Sequence, residues 1–223
     1  MRSTLQRCRL LLSAALLGLL LGSCATPPAA GPVLGNPDFR QHQAAVLAHA
    51  NWRLEGRLAI RQGNDSSTVT INWYQHDESF DITLRGSLLP LGTTRLQGSD
   101  VGLVLERAGQ DPVRLPNLQA LTRDYLNFEF PAGNLQYWVR GLPAPGLRAS
   151  TELDAANLLL TLQQTDMEGR RWDLRYDRYL PVAGLPLPGR IRLSTAAATG
   201  GLQLTFLVSD WQLSPPLTQP WRC

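Results

Sequence analysis

The chain has 223 residues, of which 43% are hydrophobic and 17% charged, a composition that supports a buried core and excludes a wholly disordered protein. The formal net charge of +3 comes from the first 23 residues, which carry three arginines and no acid. The remainder is formally neutral, which argues against nucleic-acid binding. All 21 basic residues are arginine, which excludes Schiff-base chemistry and a P-loop lysine.

Residues 1–23 have the pattern of an export signal peptide. Arginines precede an apolar run from Leu10 to Leu21, which is too short for a comfortable transmembrane helix. The run ends in the letters LGSC, which resemble the lipobox of bacterial lipoproteins, where the cysteine is lipidated and becomes the first mature residue. We therefore expect lipidation at Cys24. The alternative is an ordinary signal peptide followed by an incidental cysteine.

Residues 24–36 are rich in proline, alanine and glycine, which predicts a flexible tether. Ala25, rather than an aspartate, follows the lipobox cysteine, as in Gram-negative lipoproteins sorted to the outer membrane. Because Cys8 leaves with the signal peptide and Cys24 is lipidated, only the Cys223 thiol remains, and no internal disulfide is expected. We expect a single domain over residues 37–213 and a loose tail over residues 214–223.

Apolar spacing predicts one helix from Pro37 to about Ala50, followed by many short strands. In the strands, apolar and polar residues alternate, and turn residues separate them at short spacing, as in an antiparallel meander. The expected strands surround Val69–Trp73 and Phe80–Leu84 and cover Trp52–Arg61, Thr93–Gln97, Gly102–Arg107, Pro112–Leu115, Asn157–Gln164, Arg170–Tyr176, Arg190–Ser194 and Leu202–Trp211. The fold is therefore predicted to be mainly β, not doubly wound.

Residues 117–142 interrupt the strands with a helical insert. Two helices are expected, Leu118–Leu126 and Asn134–Arg140, with Gly141 as the C-terminal stop. The insert is either a lid or plug for a curved sheet, or a crossover that covers one sheet edge. The sequence favours neither.

No catalytic or metal-binding motif is present, so we expect neither an enzyme nor a cofactor. The three histidines are not accompanied by further ligands at metal-site spacing. Acidic pairs such as Asp166 with Glu168 lie in turn-like sequence and are interpreted as solvated loop acids.

Six tryptophans give the more informative pattern, with Trp73, Trp138 and Trp172 inside predicted elements. They either pack an ordinary core or line the apolar cavity of a half-open barrel, and small barrels permit both.

Several motifs in order resemble the LolB family, the outer-membrane receptor for lipoproteins. After the lipobox they are NPDFRQHQ from Asn36, WRLEGRLA from Trp52, Asn72-Trp73, Pro90-Leu91-Gly92, LQYWVRGLP from Leu135, Trp172 with Tyr176 and Tyr179, LPGRI from Leu187, and Trp211. The resemblance covers nearly the whole mature chain.

The resemblance implies an incomplete antiparallel β-barrel, capped by helices around an apolar cavity bordered by Trp73, Trp138 and Trp172. It implies a lipid-anchored receptor on the inner leaflet of the outer membrane that faces the periplasm. The receptor would accept acylated lipoproteins from the soluble carrier LolA, without a cofactor, and insert them into the bilayer. We expect a monomer.

In the family, a loop leucine projects into solvent and promotes release of cargo into the bilayer. That position corresponds to Leu91, although Leu88 and Leu89 in the same longer loop could share or take the role. A rival interpretation of the whole chain is a structural lipoprotein whose packed β-domain docks on an envelope assembly machine.

Overall fold

The computed structural model describes residues 37–86, 92–99, 101–125, 131–195 and 201–214. The helices within these ranges are α1 (Pro37–Leu47), α2 (Leu118–Tyr125) and α3 (Ala132–Trp138). The strands are β1 (Asn51–Gln62), β2 (Asp65–His76), β3 (Ser79–Gly86), β4 (Thr93–Ser99), β5 (Gly102–Arg107), β6 (Val113–Leu115), β7 (Ala149–Leu153), β8 (Leu159–Thr165), β9 (Arg171–Val182), β10 (Leu185–Ser194) and β11 (Leu202–Leu213). None of these three helices is long and apolar enough to cross a bilayer.

All the described strands form one antiparallel sheet in the order β6-β5-β4-β3-β2-β1-β11-β10-β9-β8-β7. The first and last strands therefore pair in the middle of the sheet, and β6 and β7 form its two edges. The sheet does not close into a barrel, which confirms the predicted mainly β, incomplete-barrel architecture. The enclosed apolar cavity stays a prediction.

Alternation of side chains gives the sheet an apolar inner face and a polar outer face. In β2, Val69, Ile71 and Trp73 are buried, whereas Thr68 and Thr70 are exposed. Successive side chains of a strand point to opposite faces, so this period of two fixes which residues enter the core. The inner-face residues of nearly all strands join one apolar cluster.

The three helices cover part of the inner face. Phe39 and Val46 of α1, Leu121 of α2, and Leu135 and Trp138 of α3 are buried in the same apolar cluster as the strands. Because α1 and α2 are short and present one buried side each, their stability comes from this packing.

The insert that carries α2 and α3 links the two edges of the sheet. The chain leaves β6 at one edge and re-enters as β7 at the other. Gln119 of α2 donates a side-chain hydrogen bond to Glu168 in the β8–β9 turn (2.9 Å). The insert is thus a crossover between two edges that also covers the inner face, which combines the two alternatives left open by the sequence.

Candidate functional site: two tryptophan clusters on the inner face

The first aromatic cluster lies on the central strands. Trp52 of β1 contacts Trp73 of β2 at 5.0 Å and Trp211 of β11 at 5.6 Å between ring centroids, both in tilted geometry. The Trp73 indole donates to Gln75 Oε1 (2.9 Å), and the Trp211 indole donates to the Pro188 carbonyl (2.9 Å). Tilted pairs at these separations are favourable arrangements of aromatic rings.

The second aromatic cluster joins α3 to the sheet. The rings of Trp138 and Trp172 are 5.8 Å apart. The Trp138 indole donates to Gln164 Oε1 of β8 at 2.7 Å. The hydroxyl of Tyr176 in β9 donates to the Trp138 carbonyl at 3.0 Å. These contacts hold α3 against β8 and β9 and satisfy polar groups that burial would otherwise penalise.

The interpretation of Asp166 as a solvated loop acid is wrong. Its side chain is fully buried and accepts hydrogen bonds from the Trp172 indole (2.9 Å) and the Arg170 backbone (2.8 Å). The Arg170 guanidinium forms an ion pair with Asp166, with its Nε 3.2 Å from Asp166 Oδ2. A buried carboxylate persists only when it is paired and hydrogen-bonded, and these donors meet both conditions.

Arg140 follows α3 and is nearly buried without a carboxylate partner among the described residues. Its guanidinium donates to the backbone carbonyls of Gln136 (2.8 Å) and His49 (3.4 Å) and lies over the rings of Trp52 and Tyr137. Burial lowers the pKa of Arg140 to about 10, so the group remains protonated at neutral pH. Arg140 therefore connects the end of α3 to the segment before β1.

Burial has the opposite effect on two tyrosines of β9, because the protonated form of a tyrosine is the uncharged one. Burial raises the pKa of the Tyr176 hydroxyl, and also that of Tyr179, above the ordinary tyrosine value. Tyr179 donates its hydroxyl proton to the Leu159 carbonyl at 2.8 Å. Both hydroxyls act as structural donors beneath the second cluster.

The structure brings together two of the three tryptophans predicted to border a cavity. Trp138 and Trp172 form one cluster, whereas Trp73 belongs to the other. Trp138 and Trp172 have no exposed surface, and Trp73 is 4% exposed. A guest molecule could touch the first two only after α3 moves away from the sheet.

Cys24 and the loop leucines Leu88, Leu89 and Leu91 lie outside the described residues. Within the described ranges, no group of three or more potential metal ligands comes together.

Sequence reasoning missed Gln164, Asp166 and Arg140 as members of this site. For the first two a pattern was available, because the buried side of β8 continues from Leu162 through Gln164 to Asp166 at a period of two. Polar residues on a buried face indicate specific hydrogen bonds. Arg140 stands in the LQYWVRGLP motif, but its residue type does not indicate burial, because a basic residue at the C-terminal end of a helix is already favourable at the surface.

Comparisons with known proteins agree with one another. A family model described as "Outer membrane lipoprotein LolB" matches residues 50–211. The chain is 34% identical over 211 residues to the outer-membrane lipoprotein LolB of Cellvibrio japonicus, covering 92% of this chain and 94% of that one. It is 35% identical over 201 residues to the protein of that name from Stutzerimonas stutzeri, covering 88% and 92%.

Solved structures support the fold alone. A DUF1329 family protein from Desulfovibrio piger aligns with a TM-score of 0.52 at 12% identity, over 84% of this chain and 95% of that one. A putative outer membrane lipoprotein-sorting protein domain from Vibrio parahaemolyticus also gives 0.52, at 9% identity over 82% and 93%. With a matching family model and relatives of about one-third identity along most of its length, the chain belongs to the LolB family of outer membrane lipoproteins, which are lipoprotein receptors and not enzymes.

Proposed function

We propose that this protein accepts acylated lipoproteins from the periplasmic carrier LolA and inserts them into the outer membrane. The family match carries the proposal, because residues 50–211 contain all the described strands except the last two residues of β11. The same range supplies both tryptophan clusters. The protein would work as a monomer, moored to the inner leaflet through Cys24 and facing the periplasm.

The transfer of acyl chains needs a protected route. A fatty chain of about 16 carbons loses on the order of 12 kcal/mol of burial in water, at about 0.8 kcal/mol per methylene. A soluble route therefore requires the chains to pass from one apolar surface to another. An inner face with a higher affinity than that of the carrier would drive the step downhill without ATP.

In the proposed acceptor state the acyl chains lie against the inner face, between the sheet and the insert. Trp138 and Trp172 would border them once α3 is displaced, and Trp73 would border them from the central strands. The support is chemical: these rings lie in a continuous apolar cluster, and the indole N–H groups of Trp73 and Trp172 donate to Gln75 and Asp166, which are not part of α3. Displacement of α3 would leave both of these hydrogen bonds in place beside a hydrocarbon guest.

Transfer from the carrier tests this function directly. A mature chain lacking residues 1–24 should receive a lipoprotein from LolA and form a complex detectable by co-purification. If the cargo carries brominated acyl chains, tryptophan fluorescence should fall on transfer, and less so in W73F, W138F and W172F. Absence of any complex would favour the structural lipoprotein that docks on an assembly machine. Unquenched fluorescence in a formed complex would remove the three tryptophans from the acyl site.

The loop leucine gives a second prediction, about delivery. Leu91→Glu should leave acceptance from LolA unchanged and slow the insertion of cargo into liposomes, because a carboxylate resists entry into the bilayer. Leu88→Glu and Leu89→Glu are the matched controls in the same loop. If delivery slows in one of these two and not in Leu91→Glu, the role moves to that residue.

A further inference from the structure

Three exposed arginines occupy one end of the outer face of the sheet: Arg57 and Arg61 of β1, and Arg85 of β3. They are termed the arginine patch. Arg57 and Arg85 both face Thr70 of the intervening strand β2, so two strand spacings, about 10 Å, separate them. Arg57 and Arg61 lie four residues apart on one strand, about 13 Å.

The arginine patch is not neutralised by the surrounding described residues. None of its three guanidinium groups forms an ion pair or a side-chain hydrogen bond with them. The nearest acids on the same strands are engaged elsewhere: Glu55 pairs with Arg53, and Asp81 pairs with Arg95. The charges of the arginine patch are thus available to an external partner.

The outer face carries further arginines on β9 and β10. Beyond β11, Arg190 and Arg192 of β10 share the single carboxylate of Asp177 with Arg175. Leu207 lies between Arg57 and Arg190 in the same cross-strand row and is 41% exposed. One exposed leucine is ordinary, but here it is flanked by cationic side chains. Together these residues form a basic surface with an apolar centre.

We infer that the arginine patch docks on a lipid bilayer by binding the phosphates of anionic headgroups. Guanidinium groups bind phosphate through paired hydrogen bonds, and each arginine near an anionic surface strengthens binding by about fivefold. Gly86, which follows Arg85, is the last residue before the segment that contains Leu91. The inference rests on the proposed function in taking the membrane as the partner, and it adds headgroup recognition to that role.

The test uses the full lipidated chain, so that the anchor is the same in every sample. The protein is reconstituted into phosphatidylcholine vesicles that contain phosphatidylglycerol with a photoreactive headgroup, and cross-linked positions are mapped by mass spectrometry. Cross-links should fall within β1 and β3. In the triple variant R57Q/R61Q/R85Q their yield should fall about threefold or more, while R57K/R61K/R85K should keep most of it.

A matched control distinguishes the effect of the arginine patch from the effect of the protein's total charge. The triple variant R40Q/R114Q/R148Q makes the same charge change at exposed arginines elsewhere and should leave the cross-linking yield unchanged. Equal loss in both glutamine triples, or no loss in the patch variant, overturns the inference. So does a patch variant that keeps its headgroup cross-links and loses affinity for LolA, since the surface would then bind an acidic protein.

The same samples distinguish this inference from the proposed function. Acceptance of lipoprotein from LolA is measured alongside cross-linking. If acceptance fails in the unmodified protein while headgroup cross-links map to β1 and β3, the receptor role is wrong and the arginine patch remains a membrane surface. If acceptance succeeds and the cross-links map elsewhere, only the patch assignment fails.

Discussion

Gln164 shows how one buried polar side chain can organise several elements. Its Oε1 accepts from the Trp138 indole (2.7 Å) and from the Ala144 backbone (2.9 Å), and its Nε2 donates to the Ala144 carbonyl (2.7 Å). The residue is 1% exposed. One side chain thus satisfies one group on α3 and two on the segment that leads from α3 back to the sheet.

Replacing Gln164 by leucine should lower the free energy of unfolding by about 2–4 kcal/mol. The new side chain keeps the shape and leaves three buried polar groups without a partner, each of which costs about 1–3 kcal/mol before relaxation. Urea unfolding followed by circular dichroism measures the change. Gln163→Leu is the control, because Gln163 is exposed on the opposite face, and it should alter stability by about 0.5 kcal/mol or less. Equal effects would mean that the Gln164 hydrogen bonds contribute little.

At the scale of the element, the end of α3 depends on a glycine. The Gly141 N–H donates to the Trp138 carbonyl, and the Leu142 N–H donates to the Tyr137 carbonyl, both at 3.1 Å. This pair of bonds requires a left-handed residue, and Gly141 has φ +77°. The sequence prediction of a helix stop at Gly141 is confirmed. A Cβ there would also lie 3.1 Å from Cγ of Pro188.

Gly141→Ala should therefore destabilise the protein more than a change that adds only backbone strain. Gly146→Ala is the matched comparison, because Gly146 has φ +74° and open space around its Cα. Backbone strain alone costs about 1–2 kcal/mol in both variants, and the contact with Pro188 should add about 1 kcal/mol at Gly141. Thermal unfolding compares the two. A smaller loss at Gly141 would show that Pro188 moves away freely.

Sequence patterns identified most strands because the alternation of buried and exposed residues is strong. They missed β7. None of its five residues is fully buried, because β7 is an edge strand. They also ended β9 at Tyr176 and began β10 at Arg190, whereas the two strands extend to Val182 and back from Leu185. Prolines in this hairpin imitate a strand end, because proline removes a donor from the ladder.

The sequence patterns did not indicate which strands pair with each other. Nothing local indicates that β1 pairs with β11, since register depends on contacts between residues about 150 positions apart. The candidate site was predictable only in part, because its arrangement also depends on which strands pair. The tryptophans stand out by type, while their division into two clusters follows from the strand order.

At the scale of the whole molecule, the described sheet is open and the insert connects its edges. The insert contacts the β8–β9 turn through the hydrogen bond between Gln119 and Glu168, both of which are exposed. Since Trp138 and Trp172 have no free surface, cargo binding at these rings requires the insert to separate from the sheet.

Locking the insert should therefore block acceptance of cargo. In a Cys223→Ser background, the double variant Gln119→Cys/Glu168→Cys is cross-linked with a short bismaleimide. The cross-link should prevent transfer of lipoprotein from LolA. The same double variant without the reagent should accept cargo, as should a control that carries Gln119→Cys alone with the reagent. Transfer at an undiminished rate after complete cross-linking would show that acyl chains enter without movement of α2.

The pairing of β1 with β11 also has a consequence for biogenesis. The Ser214 N–H donates to the Asn51 carbonyl at 2.7 Å, so the last described residue adjoins the start of the first strand. Until the export machinery has released β11, the chain holds two half-sheets, β1–β6 and β7–β10. In these half-sheets β1 and β10 are unpaired on one side, and their free backbone groups can pair with other chains. A newly secreted molecule is therefore most prone to aggregate just before β11 emerges, and assistance from periplasmic holdases would matter most at that moment.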